Sequence, residues 1–196
     1  AKQSLYRSFQ NRLNRSQVTN LFFGFLTHAP LRAHWQGGGG DMARQGSPET
    51  IKRKELVGKL NPLCLQAFSA AAQAAKTRGN PYVELVHFIA GLVDVPRSDA
   101  AILCLAAGVD PARLEGDLAR AMDALPRGAS AVEEFSDHIF HAIREAWALG
   151  GLEFGDDRVR SAYILLGALR VPVLEGLLFK ISMEFDKLDP ATMLAQ

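Results

Sequence analysis

His138 and His141 lie three positions apart beside Glu134 and Asp137, a spacing that puts both imidazoles on one helical face, where a divalent metal would find them. No further ligand constellation joins them, so the pair reads as a solvated or half-buried polar face. Glu133 and Glu134 read as a charge pair at the positive end of a helix dipole rather than as an acid/base dyad. Cys64 and Cys104 sit inside apolar helical patterns and lack the His/Asp framework of a nucleophile. They read as free buried thiols in a reducing compartment, with a disulfide between them left open. Trp147, Phe154 and Arg144 would stack a base. From Met42 onward, however, 17 basic residues face 20 acidic ones, a formal −3, and an acidic domain binds phosphate poorly. His87 aligns internally with Tyr163 and reads as a partly buried polar residue that fixes a helix contact. These groups amount to no catalytic or metal constellation.

The elements that would position such groups are helices. At 196 residues and 48% apolar the chain can bury one real core. From Ser47 onward the pattern is helical, with almost no strand signal. Ser47-Pro48-Glu49 offers a capping hydroxyl, a proline for the first turn and an acid at the dipole's positive end. Asn61-Pro62 is a second start, and the alanine-rich run from Leu63 to Lys76 is a strong helix former closed by Arg78-Gly79-Asn80-Pro81. Later helices are expected over roughly 82–95, 99–107, 111–124, 132–153, 158–171, 173–183 and 190–195.

An internal repeat orders them. The segment Val83 to Pro96 parallels Val159 to Pro172 at an offset of 172 − 96 = 76 residues, and Gly79 falls on Gly155 at the same offset. Val109-Asp110-Pro111-Ala112 then meets Leu188-Asp189-Pro190-Ala191 after a slip of three. The fold class is therefore all-α: two tandem four-helix repeats with pseudo-twofold symmetry, preceded by an extra amino-terminal helix.

That repeat, with the element Gly79-Asn80-Pro81-Tyr82-Val83-Glu84-Leu85-Val86-His87, resembles the amino-terminal domain of Clp/Hsp100 AAA+ ATPases over residues 42–196. Where that family usually carries Glu-His-Leu-Leu, this sequence has Val86-His87-Phe88-Ile89. This departure, with Leu125-Pro126-Arg127-Gly128 and Gly58-Lys59-Leu60-Asn61, resembles the ClpV branch, the ATPases of bacterial type VI secretion. The resemblance implies a cytoplasmic, bacterial adaptor that captures a helix of the large sheath subunit (TssC or VipB) so that attached AAA+ modules can pull the contracted sheath apart. The alternative it leaves is a general Clp-type substrate-binding domain of a quality-control disaggregase. No Gly-x-x-x-x-Gly-Lys-Ser/Thr loop occurs in the chain. ATP and Mg²⁺ therefore belong to the parent ATPase, and no cofactor, metal, catalytic residue, nucleic acid or membrane is expected for this part. No apolar run approaches the ~18–20 residues that a membrane span needs.

The four glycines Gly37–Gly40, followed by Asp41 and Met42, read as a joint: residues 37–41 as a linker, and Met42 as a start residue preserved behind it. Before the joint lie five basic residues and no acid. Residues 1–36 read as a helical peptide ligand tethered to its receptor, or else as a native extension adding a helix to the core. Val18, Leu21, Phe22, Phe25 and Leu26 form an i, i+3, i+4, i+7, i+8 stripe, the expected anchors. The expected groove has Ile51, Leu56 and Leu60 as one wall, and Leu63, Ala67 and Ala71 as its floor. Ordinary core packing is the alternative for each of the six. Four glycines span at most ~14 Å, so the peptide reaches a groove in its own chain or in a neighbour's.

Overall fold

The computed structural model of the chain describes residues 52–191. Residues 1–51, and with them the anchors Val18, Leu21, Phe22, Phe25 and Leu26, the wall residue Ile51 and the Ser47-Pro48 helix start, lie outside the described residues, as does most of the expected 190–195 helix.

Helix α1 (Arg53–Lys59) leads into α2 (Pro62–Arg78). The α2 start is set by Asn61, whose Oδ1 accepts the Cys64 N–H at 2.8 Å, with proline in the first turn. Its end is set by Gly79 at φ +68°, a left-handed conformation that favours glycine. Strand β1 (Tyr82–Val83), α3 (Leu85–Val93), α4 (Asp99–Ala106) and α5 (Pro111–Asp123) complete the first repeat. Strand β2 (Glu134–Phe135), α6 (Asp137–Glu153), α7 (Ser161–Leu169), α8 (Pro172–Ile181) and a 3₁₀ turn (Met183–Lys187) make up the second. A last helix begins at Pro190, where Asp189 Oδ1 accepts the Ala191 N–H at 3.1 Å. The repeat register holds to the residue: α3 and α7 are both nine residues long and start 76 apart, and Gly155 adopts the same φ of +68° as Gly79.

Three helices start later than the periodicity suggests. Tyr82–Val83 and Glu134–Phe135 are extended and pair in parallel, Val83 opposite Phe135, while Val159 forms a parallel bridge with Leu60. The two pairings exchange bonds between the repeats. Ser136, the cap of α6, donates its N–H to Val83 O at 2.9 Å; Asn61, the cap of α2, donates its own to Val159 O at 3.0 Å. Each repeat thus satisfies the leading amide of the other's long helix. Strands this short leave no period to read in a sequence.

The core sits between the long helix of each repeat and the helix after it. Gly91 of α3 lies so close to α2 that a Cβ there would stand 3.0 Å from Ala67 O; the equivalent Gly167 of α7 would place one 2.9 Å from Ala146 N. Phe68 stacks on Phe135 at 4.3 Å and meets Phe88 edge-on at 5.7 Å, joining the two repeats through aromatic rings. At the other end, Arg160 forks onto Asp99 at 2.9 and 3.0 Å, and Ser161 Oγ accepts the buried Ala100 N–H at 3.0 Å, tying α7 to α4.

Candidate peptide-binding face

Helix α1 is seven residues long, too short to persist unless it packs. It is held on α6. The Arg53 guanidinium pairs with Glu134 and Asp137 and lies 4.7 Å from the Phe140 ring centre, while Lys59 Nζ lies 4.9 Å from the Trp147 ring centre. Its end is fixed to the turn before α7. Arg158 Nη1 donates to Gly58 O at 2.7 Å, and Val159 N–H donates to Lys59 O at 2.8 Å. Leu56, Val57 and Leu60 are buried, whereas Lys52, Lys54 and Glu55 are exposed. Cationic side chains stacked on α6 aromatics are what the sequence reading missed. The available signal was a pair of basic residues flanking the apolar stripe of α1.

The expected groove residues fall into two groups. Leu56, Leu60, Ala67 and Ala71 are 5%, 3%, 1% and 1% exposed, and Leu63 is half-buried on the first turn of α2. Leu56 of α1, Leu60 just past its end and Leu63 of α2 lie on adjoining elements, and α1 packs on α6. Ala67 lies under α3, beneath Gly91. Removing the Arg53 side chain by Arg53→Ala is expected to cost about 1 kcal/mol, the scale of an exposed ion pair with a ring contact. Amide hydrogen exchange should show α1 opening faster while α7 is unchanged. Equal acceleration in both helices would mean that α1 is not held separately.

The chemistry-bearing residues have local partners. His138 Nδ1 lies 3.2 Å from Ser136 Oγ, and His141 Nε2 lies 3.6 Å from Glu145 Oε1, so the two imidazoles engage different groups. Among the described residues no group of three or more His, Cys, Asp or Glu is placed to hold a metal. Burial pushes the Cys64 thiol up to about 12, with Asp99 adding to it, and burial pushes Cys104 up to about 11; neither is a thiolate at neutral pH. His87 is 1% exposed. Its Nδ1 accepts the Glu84 N–H at 3.0 Å and its Nε2 meets Asn80 Oδ1 at 3.1 Å, while Asn80 Nδ2 donates to Pro126 O at 2.7 Å. The ring therefore caps α3 and links it to the loop after α5. No helix of the described residues is long and apolar enough to cross a membrane.

Two four-helix repeats locked by exchanged strands, with a short extra helix strapped to one flank, define a Clp-type amino-terminal domain. The model of the Clp repeat (R) N-terminal domain matches residues 59–177, and the chain belongs to that family. Within it, the similarities run to ClpV. The AAA+ ATPase ClpV1 of Pseudomonas aeruginosa is 44% identical over 138 residues, which cover 70% of this chain and 15% of that one. The chaperone protein ClpB of Yersinia enterocolitica is 38% identical over 138 residues, 70% of this chain and 16% of its own. The chain thus spans only about a sixth of the length of these relatives. A solved structure from work on the coevolution of the ATPase ClpV, the TssB–TssC sheath and the accessory HsiE protein matches with a TM-score of 0.72 at 41% identity, covering 75% of this chain and 91% of that one. A ClpV N-domain in complex with a VipB peptide matches with a TM-score of 0.65 at 26% identity, covering 76% and 91%.

Proposed function

We propose that residues 42–196 are the recognition domain of a type VI secretion AAA+ unfoldase, capturing a helix of the sheath subunit so that the parent ATPase can dismantle and recycle the contracted sheath. The observation that carries this reading is the likeness to a ClpV N-domain solved with a VipB peptide, supported by 41% identity to the chain from the ClpV sheath-coevolution work. The domain supplies capture; ATP, Mg²⁺ and hydrolysis belong to AAA+ modules elsewhere in the parent protein. Residues 1–36 are a ligand of the same kind, and residues 37–41 are its tether. The groove is assigned to Ile51, Leu56, Leu60, Leu63 and Ala71, with Ala67 taken up by the helix crossing beneath Gly91, and the anchors to Val18, Leu21, Phe22, Phe25 and Leu26. Burying a Phe or Leu anchor stabilises by ~1.5–3 kcal/mol. After association and ordering costs, three such anchors leave roughly micromolar affinity, and a short tether saturates even weak binding through an effective concentration of about a millimolar.

The ClpB relative at 38% identity supports a second reading, a general substrate-binding domain for unfolded chains. Calorimetric titration separates the two. Neighbouring N-domains are solved as chains of which this one covers about nine-tenths, so residues 42–196 can be prepared alone. Titrated with residues 1–36 or with a VipB-type helix, the domain should bind each one-to-one, and Phe22→Ala with Phe25→Ala should weaken the first by more than tenfold. Binding of the VipB-type helix alone would overturn the tethered-ligand assignment and keep the function. Equal binding of any unfolded polypeptide would favour the second reading, and silence from both helices at high micromolar concentration would overturn the first.

A further inference from the structure

Helix α1 stands apart from the core that the family shares. The Clp repeat domain is matched from residue 59, the last residue of α1, so nearly all of this helix precedes the shared part. It is seven residues long, and Lys52 gives it no side-chain cap, which is too little to sustain a helix alone. The carbonyl bonds to Arg158 and Val159 hold only its last turn. What fixes it along its length is a cation on an α6 ring at each end. The Arg53 guanidinium lies 4.7 Å from the Phe140 ring centre and pairs with Glu134 and Asp137, and Lys59 Nζ lies 4.9 Å from the Trp147 ring centre. Phe140 is itself buried, 6.4 Å from the rings of Phe68 and Phe135, so the first clamp closes on a ring already packed. Between the clamps, Leu56 and Val57 are the buried residues of α1.

The proposed ligand has no means of opening either clamp. Residues 1–36 contain no Asp or Glu, so they offer no carboxylate to draw Arg53 or Lys59 from its ring. The two cations therefore act on the wall and not on the ligand. A wall in place before the ligand arrives spares the complex the cost of ordering α1. Any fraction of molecules with α1 lifted lowers the apparent affinity in proportion.

We infer, on the footing of the capture reading above, that Arg53 and Lys59, with Phe140 and Trp147 beneath them, are positioning residues for the ligand: the two clamps together hold α1 as a fixed wall of the groove. Losing one speeds the opening of α1 yet leaves it mostly in place. Losing both frees it.

Calorimetric titration of residues 42–196 with the residue 1–36 peptide and with a VipB-type helix tests this, beside amide exchange of α1 and α7. The losses are read on each helix that the unaltered domain binds. Arg53→Met and Lys59→Met, which keep the apolar stems, should each weaken binding by no more than about twofold, and the double variant by about tenfold or more. In the double variant α1 should exchange freely while α7 exchanges as in the parent. Arg53→Met with Trp147→Leu, which removes the second clamp from the α6 side, should reproduce that loss. Arg53→Lys with Lys59→Arg, which keeps a cation over each ring, should bind as the parent does. A double variant that binds within about twofold of the parent, with α1 exchanging freely, overturns the inference and leaves capture standing. So does a loss no greater than the product of the single losses, the mark of two separate contacts with the ligand. An unaltered domain that binds neither helix overturns the capture reading, and the positioning roles with it.

Discussion

Gly167→Ala is expected to destabilise the domain by about 2–4 kcal/mol, a loss at the upper end of overpacking effects. The added Cβ would meet only main-chain atoms, Ala146 N at 2.9 Å, Glu145 C at 3.1 Å and Ala146 Cα at 3.2 Å. Backbone inside a helix cannot swing aside as a side-chain tip can, so α7 must lift from α6 and carry the seven other buried residues of α7 partly out of the core. Gly91→Ala at the equivalent crossing should cost less, since its first contact is Ala67 O at 3.0 Å. Gly116→Ala, in the exposed middle of α5 with nothing within 4 Å, should gain up to ~1 kcal/mol through helix propensity alone. Urea unfolding of the three variants gives the order directly. A Gly167→Ala protein within 0.5 kcal/mol of the parent would mean that the α6–α7 crossing is looser than described.

The second large effect is a loss of stability in mild acid that belongs to His87. Burial lowers its pKa to about 4, helped by the nearby Arg78 charge, and Nδ1 has its lone pair committed to the Glu84 N–H. In the unfolded chain the same ring titrates near 6.5. Between these values the unfolded state binds the extra proton. The stabilising contribution is therefore complete above pH 6.5 and is lost as the pH falls toward 4, by about 2–3 kcal/mol in all. Asp117 and Glu184 act at lower pH. Ser182 and Arg120 hold the Asp117 carboxyl below its usual value, and Lys187 and the Asp110 N–H do so for Glu184; their contributions fade as they protonate. His87→Ala should lower the melting temperature at pH 7, through the unpaired Asn80 and Glu84 groups, and flatten the slope of melting temperature between pH 6.5 and 4. An unchanged slope would assign the acid loss elsewhere.

Much of the architecture was legible because it is written twice. The 76-residue register, the paired glycines at 79 and 155, and the Asn61-Pro62 and Asp110-Pro111 starts each rest on chemistry confined to a few neighbouring residues, which sequence displays. The Val83–Phe135 and Leu60–Val159 pairings do not, because a two-residue strand has no period and its partner lies far along the chain. The groove is hard to read for a different reason. A wall that faces a ligand and a wall that faces the core carry the same apolar stripe, so Leu56 and Leu60 have one pattern under either role. The α1 clamp escaped notice because Arg53 and Lys59 look like ordinary solvated charges until Phe140 and Trp147 are seen beneath them.

The bonds exchanged between the repeats also set a clock. Gly58 and Arg158 are 100 residues apart, and at ~5–20 residues per second a ribosome needs roughly 5–20 s to make that interval. Throughout it, α1 lacks the turn that fastens it, and the leading amide of α2 lacks its partner Val159. The newborn amino-terminal half must wait for its sibling, and whatever shields its apolar flank during those seconds governs how much of the protein reaches the folded state.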